Sequence, residues 1–197
     1  MKGKKALVGH KARPRFGKVT PAHVTLKVLP DVPSLRASRR FAAIRKCFGT
    51  ARGQHGLRLV EFAVMGDHLH LVVEADDDRA LTRGMQGLAI RVARAVNKVV
   101  GRGGRVFADH YHSHLLRSPA ELVNAIKYVL GNARHHYAEA GPDACSSGVS
   151  GALELLVLPT GWLLREGWRR ARGRNRVVPS LFRARDGTAP GCGAASF

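Results

Sequence analysis

The chain has 197 residues, 45% of them hydrophobic, with 33 Lys and Arg against 14 Asp and Glu and a formal net charge of +19. That length and apolar fraction support one domain with terminal extensions and a real buried core, which excludes global disorder; no apolar run approaches the roughly 20 residues of a membrane span, and the first 18 residues hold no apolar leader. Charge in such excess costs self-repulsion and fits a polyanionic partner, nucleic acid before an anionic membrane, because no basic amphipathic helix with a bulky aromatic face is present.

In chain order, residues 1–19 read as a flexible basic arm, since the first 18 carry seven Lys or Arg and no acid. Residues 22–28 (AHVTLKV) read as a strand. Residues 34–48 predict a helix with Ser34 as N-cap and Leu35, Ala42, Ile44, Cys47 and Phe48 mostly on one side. Residues 57–65 and 68–74 predict two strands joined by the two-residue turn Gly66-Asp67, a hairpin signature. A long helix is expected over 79–99, with Asp76, Asp77 and Asp78 at its start, where negative charge complements the helix dipole. Residues 111–117 suggest a fourth strand. A final helix over 119–136 is entered through Ser118-Pro119, with Glu121 in the capping-box position. The order β-α-β-β-α-β-α predicts an α+β, ferredoxin-like antiparallel sheet with helices on one face, plus a C-terminal helix. Residues 138–151 are rich in Gly, Ser, Pro and Ala and mark a linker into a basic extension, 138–197 in all. That extension holds an apolar patch from Leu153 to Trp168, then Arg165, Arg169, Arg170, Arg172, Arg174 and Arg176, which with the arm are expected to track a phosphate backbone. Cys47, Cys145 and Cys192 are odd in number and lack CxxC spacing, which points to a reducing compartment and to no disulfide framework.

Two constellations carry chemistry. Strand alternation puts His68 and His70 on one face and Leu69, Leu71 and Val73 on the other. Such a pair can bracket one divalent ion, or it can be two solvated imidazoles on a surface strand. On the last helix Tyr128 and Asn132 stand at i and i+4, with Asn124 one turn before and Leu122, Val123, Ile126, Val129 and Leu130 on the core side. A tyrosine there either packs its ring or attacks phosphorus; its hydroxyl is a poor nucleophile at a free pKa near 10 and needs a polarised phosphate. Tyr111 reads as a packing residue and Tyr137 as a surface one, and His110, His112 and His114 as phosphate or base contacts, or plain structure.

Over about residues 20–137 these elements resemble the HUH single-tyrosine transposases, the IS200-like insertion-sequence enzymes and the REP-associated tyrosine transposases. The matching pieces are His23-Val24-Thr25-Leu26, Met65-Gly66-Asp67-His68-Leu69-His70-Leu71, Phe107 through His114, and Tyr128-Val129-Leu130-Gly131-Asn132. The resemblance implies a catalytic domain in which His68, His70 and Asn132 hold Mg²⁺ or Mn²⁺ and Tyr128 is the nucleophile. Cleavage would leave a 5′-phosphotyrosine and a free 3′-OH, so that rejoining needs no ATP. The implied partner is single-stranded DNA with a hairpin, acted on by a monomer or a homodimer in the cytoplasm, at the nucleoid. The sequence departs from the family pattern at Gly66-Asp67 for Pro-Asn, at Phe107 where Trp is common, at Ser113 where Asp often precedes His114, and at Ala133 where Pro often follows the amide. Trp162 through Trp168 resembles an extension of transposase relatives, with no chemistry attached. The alternative is a domesticated, non-catalytic binder of folded single-stranded DNA or RNA.

Overall fold

A computed structural model describes residues 15–137, 141–171 and 178–183. Four strands, β1 (Thr20–Lys27), β2 (Leu57–Val64), β3 (His68–Ala75) and β4 (His112–Leu115), form one fully antiparallel sheet in the order β2-β3-β1-β4. Helices α1 (Ser38–Thr50) and α2 (Asp78–Val100) cover one face, and α3 (Pro119–Tyr137) lies on the other. The expected α+β fold is therefore present, with the third helix making a second packed layer. Among the described residues no helix is long and apolar enough to cross a membrane.

Alternation decides the faces. Ala22, Val24 and Leu26 of β1 and Leu69, Leu71 and Val73 of β3 enter the core beneath α1 and α2. On β2 the alternation breaks: the register shifts between Leu59 and Glu61, so Leu57, Leu59, Phe62 and Val64 all face that same core, while Val60 and Ala63 face α3. A bulge of one residue does this, since each added residue flips every later side chain. Gly84 lets α2 close on β2, where a Cβ would lie 2.5 Å from the Leu57 Cβ.

Side chains cap two helices. The Asp77 carboxylate accepts from Ala80 N–H at 2.7 Å, and α2 ends on Gly101 at φ 72°. Ser118 Oγ accepts from Glu121 N–H at 3.2 Å, while Glu121 accepts from Arg117 N–H at 2.7 Å. The first helix starts later than expected. Ser34 is not its cap; α1 begins at Ser38 after Ala37, with no side-chain cap. Tertiary bonds capture the intervening turn: Leu35 N–H donates to Gly66 O at 2.8 Å and Arg40 Nε to Ser34 O at 2.6 Å.

The described part of the extension is packed. Residues 143–157 run along the free edge of β2, through Cys145 O, Ser147 N–H and Val157 N–H, and so cover what is otherwise an open sheet edge. Two buried carboxylates hold it. Glu61 accepts from Ser180 N–H (2.5 Å), Ser180 Oγ–H (2.8 Å) and Ser147 Oγ–H. Glu74 accepts from Thr160 N–H at 2.7 Å and Gly161 N–H at 2.9 Å, just ahead of a short helix α4 (Trp162–Arg165). Leu164 and Trp168 then insert against α3. Of the basic arm only residues 15–19 are described; there Phe16 packs on the core. Arg172, Arg174, Arg176 and Cys192 lie outside the described residues.

Candidate active site

The face of the sheet under α3 carries the histidines. Leu69 and Leu71 are buried on the far side, and His68 and His70 point up together, as alternation requires. The β1–β3 register places Thr25 beside His70, and the β1–β4 register places His114 beside His23 and His112 beside Thr25. The His68 and His70 rings sit 4.5 Å apart by centroid, and those of His23 and His70 5.3 Å.

Helix α3 lays Tyr128 across them. Its ring lies 5.0 Å from His70 and 5.6 Å from His23, edge-on to both, and the side chain is 52% exposed, open to an incoming strand. Two turns on, His136 stands 6.4 Å from His68. Asn132 lies between Tyr128 and His136 on the same helical face, so it too looks toward the histidine pair; it is 3% exposed and its Nδ2 has no partner. Rotating that amide by 180° presents the oxygen instead, the atom a hard cation takes.

Hydrogen bonds orient the imidazoles. His68 Nδ1 is 2.6 Å from Asp67 Oδ1. The hydrogen bond to His68 holds the Asp67 carboxyl below the usual range, so it is an acceptor only and Nδ1 of His68 donates to it. His70 Nδ1 is 3.2 Å from both Thr25 Oγ1 and His23 Nε2, and its Nε2 is buried without a partner. Burial, then the neighbouring His68, His23 and His136, push the His70 pKa down to about 3, which keeps that ring neutral. Burial, with His114 beside it, also lowers His23. The paired imidazoles of His68 and His70 beside one buried amide suit a divalent ion. Among the described residues no three His, Cys, Asp or Glu converge on one point, so the remaining positions of such an ion would fall to water and substrate oxygens.

The hairpin turn is braced from the same helix. Tyr137 Oη accepts from Gly66 N–H at 2.9 Å, and the Arg36 guanidinium stacks 4.4 Å over the Tyr137 ring while forming a two-point ion pair with Asp143. The turn uses no left-handed residue at Gly66 or Asp67, unlike the favoured two-residue hairpins. What Gly66 supplies is an N–H, which proline lacks, and close approach: a Cβ there would come within 3.2 Å of Tyr137 Oη.

Sequence spacing thus finds His68, His70, Tyr128 and Asn132, and the structure brings the first three together with the fourth facing them. It misses His23, whose signal was the alternation of Val24 and Leu26 on β1; His136, which continues the i+4 series; and Asp67 and Tyr137, which it reads as turn and surface residues. Tyr111 is buried in the main core, as expected of a packing residue. His112 and His114 are exposed on β4. Arg165, Arg169 and Arg170 are exposed beyond α3, with Arg169 paired to Glu166. On the opposite side of the molecule Lys46, Arg91, Arg94 and Lys98 line a groove of about 430 Å³ between α1 and α2, with no acid among its lining.

Residues 36–132 match the family described as Transposase IS200 like. Among solved structures the chain resembles a REP-associated tyrosine transposase bound to a REP hairpin, with a TM-score of 0.54 and 11% identity over 66% of this chain and 75% of that one. At that identity the likeness is one of fold. A second structure, a Deinococcus radiodurans R1 protein provisionally assigned as a transposase, aligns with a TM-score of 0.43 and 18% identity over 59% of this chain and 87% of that one. No curated protein matches the chain.

Proposed function

Because residues 36–132 belong to the IS200-like transposases, we propose that this chain cleaves and rejoins single-stranded, hairpin-bearing DNA through a covalent bond to Tyr128. The carrying observation is that Tyr128, half exposed, lies over the His68–His70 pair of its own chain. The Tyr128 oxygen attacks the scissile phosphorus and loses its proton; the P–O3′ bond breaks, the 3′ oxygen takes up a proton, and a 5′-phosphotyrosine remains. Attack by a 3′-OH on that ester reverses the step without outside energy. His68, His70 and Asn132 would hold Mg²⁺ or Mn²⁺, which when bound draws charge from the non-bridging phosphate oxygens. His70, kept neutral by burial and its neighbours, stays a ligand and not a competing cation. The hairpin named for the structurally similar protein and the net charge of +19 support a folded DNA partner. The test is covalent capture: labelled hairpin DNA incubated with the protein and Mg²⁺ or Mn²⁺ gives a labelled protein band on a denaturing gel, absent with EDTA.

Asp67 positions His68 for that ion. Carboxylate partners of metal-binding histidines are worth about 10- to 100-fold in affinity. Asp67→Ala should weaken Mn²⁺ binding by that factor, read by titration of the free-ion EPR signal, with the fold unchanged by circular dichroism. Equal affinity in the two proteins would remove Asp67 from this role.

Tyr128 and the histidines meet within one chain, which supports a site assembled in cis. Exchange of α3 between two chains would also have to strip Leu164 and Trp168 from its back. A monomer by light scattering, with adduct yield per chain independent of protein concentration, is the expected result; yield rising with concentration would favour a swapped pair.

A further inference from the structure

The extension presents an aromatic surface that the reaction above leaves unused. Trp162 is 51% exposed, whereas Trp168, the only other tryptophan, is 5% exposed and packed against α3. An exposed indole costs unfavourable hydration, and neighbouring positions show that the local backbone can bury apolar groups: Leu164, two residues on, is fully buried. The Trp162 ring is nevertheless held in place. Its Cζ3 lies against Gly167, where a Cβ would approach to 2.9 Å, and the Arg170 guanidinium stands 5.2 Å from the ring centroid. The backbone leading into it is fixed by the buried Glu74 carboxylate through Thr160 N–H and Gly161 N–H. Arg170 pairs with no acid among the described residues, while its neighbour Arg169 is taken by Glu166.

This site lies on the catalytic side of the sheet. Glu74 follows His70 by four residues on the same face of β3, about 13 Å along a strand that rises roughly 3.3 Å per residue. Helix α3 runs over the same stretch, from its first turn beside Leu116 at the Glu74 end to Tyr137 at the Gly66 end. An extended strand attached at Tyr128 can therefore reach Trp162 within a few nucleotides.

We propose that Trp162, with Arg170 beside it, is a stacking platform for an unpaired base of single-stranded DNA, Arg170 neutralising the adjoining phosphate. A half-exposed indole can stack on any base, and a guanidinium over its ring adds attraction to both the base and the backbone. The inference rests on the single-strand reading of the active site and adds where the strand lies beyond it.

The test uses the full chain with oligo(dT) as the probe. Stacking of thymine should quench Trp162 emission, and Trp162→Phe should abolish the quenching because the remaining Trp168 is buried. Trp162→Ala should weaken oligo(dT) binding roughly tenfold by fluorescence anisotropy, and Arg170→Ala should weaken it less and flatten its salt dependence. Binding to the unaltered protein without quenching, or unchanged affinity in Trp162→Ala, overturns the platform and leaves the single-strand reading intact. If neither oligo(dT) nor a hairpin-bearing single strand binds the unaltered protein, the single-strand reading fails and the platform falls with it.

Discussion

Tyr128→Phe is expected to abolish covalent capture of DNA, by at least about 10³-fold, while leaving DNA affinity within a factor of about two. The substitution removes one oxygen and keeps the ring that packs edge-on against His23 and His70. Because the side chain is half exposed and its oxygen serves no buried partner, stability should not change. The effect therefore isolates the nucleophile from the fold. Tyr137 is the control: its oxygen is engaged by Gly66 N–H and its ring by Arg36, so Tyr137→Phe should loosen the hairpin turn and lower the rate without removing the adduct. Adduct surviving in Tyr128→Phe would reassign the nucleophile. Protein that binds hairpin DNA tightly and never forms an adduct, with or without Tyr128, would be the domesticated binding module.

The largest expected stability effect lies away from that chemistry, at Glu61. Its side chain is fully buried between the sheet and the extension and accepts from Ser180 N–H, Ser180 Oγ–H and Ser147 Oγ–H. Glu61→Ala leaves both Ser180 donors buried without an acceptor, leaves Ser147 Oγ–H only the Phe62 carbonyl at 3.2 Å, and opens a void, so unfolding should become easier by about 3 kcal/mol in urea melts. Residues 178–183 should then be the first to gain proteolytic access. The pH dependence has a definite sign. Burial raises the Glu61 carboxyl above its ordinary value, the three hydrogen bonds offsetting part of that rise. The folded chain thus keeps this proton at pH values where the unfolded chain has lost it. Its contribution is full below about pH 4 and declines as pH rises through the folded-state pKa. Glu61→Gln mimics the protonated group and should erase that slope. A parallel pH profile for the two proteins would show that Glu61 titrates normally.

Helical and strand periods are local, so α2 with its acidic start, the β3 alternation, and the i, i+4 pairing of Tyr128 with Asn132 are all legible. So is the family, because its motifs fall in order along the chain. Ser34 failed as a helix cap because a tertiary bond from Leu35 to Gly66 outweighed the local preference. The C-terminal segment read as a linker, since Gly and Ser composition says nothing about Asp143, Ser147 and Thr160 meeting Arg36, Glu61 and Glu74 across long stretches of chain.

The order of amino acids alone sets the elements and the candidate side chains: two imidazoles on one strand face, and a tyrosine and an amide on one helix face. Which of these meet is settled by long-range packing. The sheet register brought His23 and Thr25 to His70, the bulge in β2 turned Phe62 and Val64 into the core and Glu61 out of it, and α3 crossed to the face the histidines occupy. Register, bulge and layer are contacts between residues far apart in the chain, fixed by the burial of whole faces at once, and no local period encodes them.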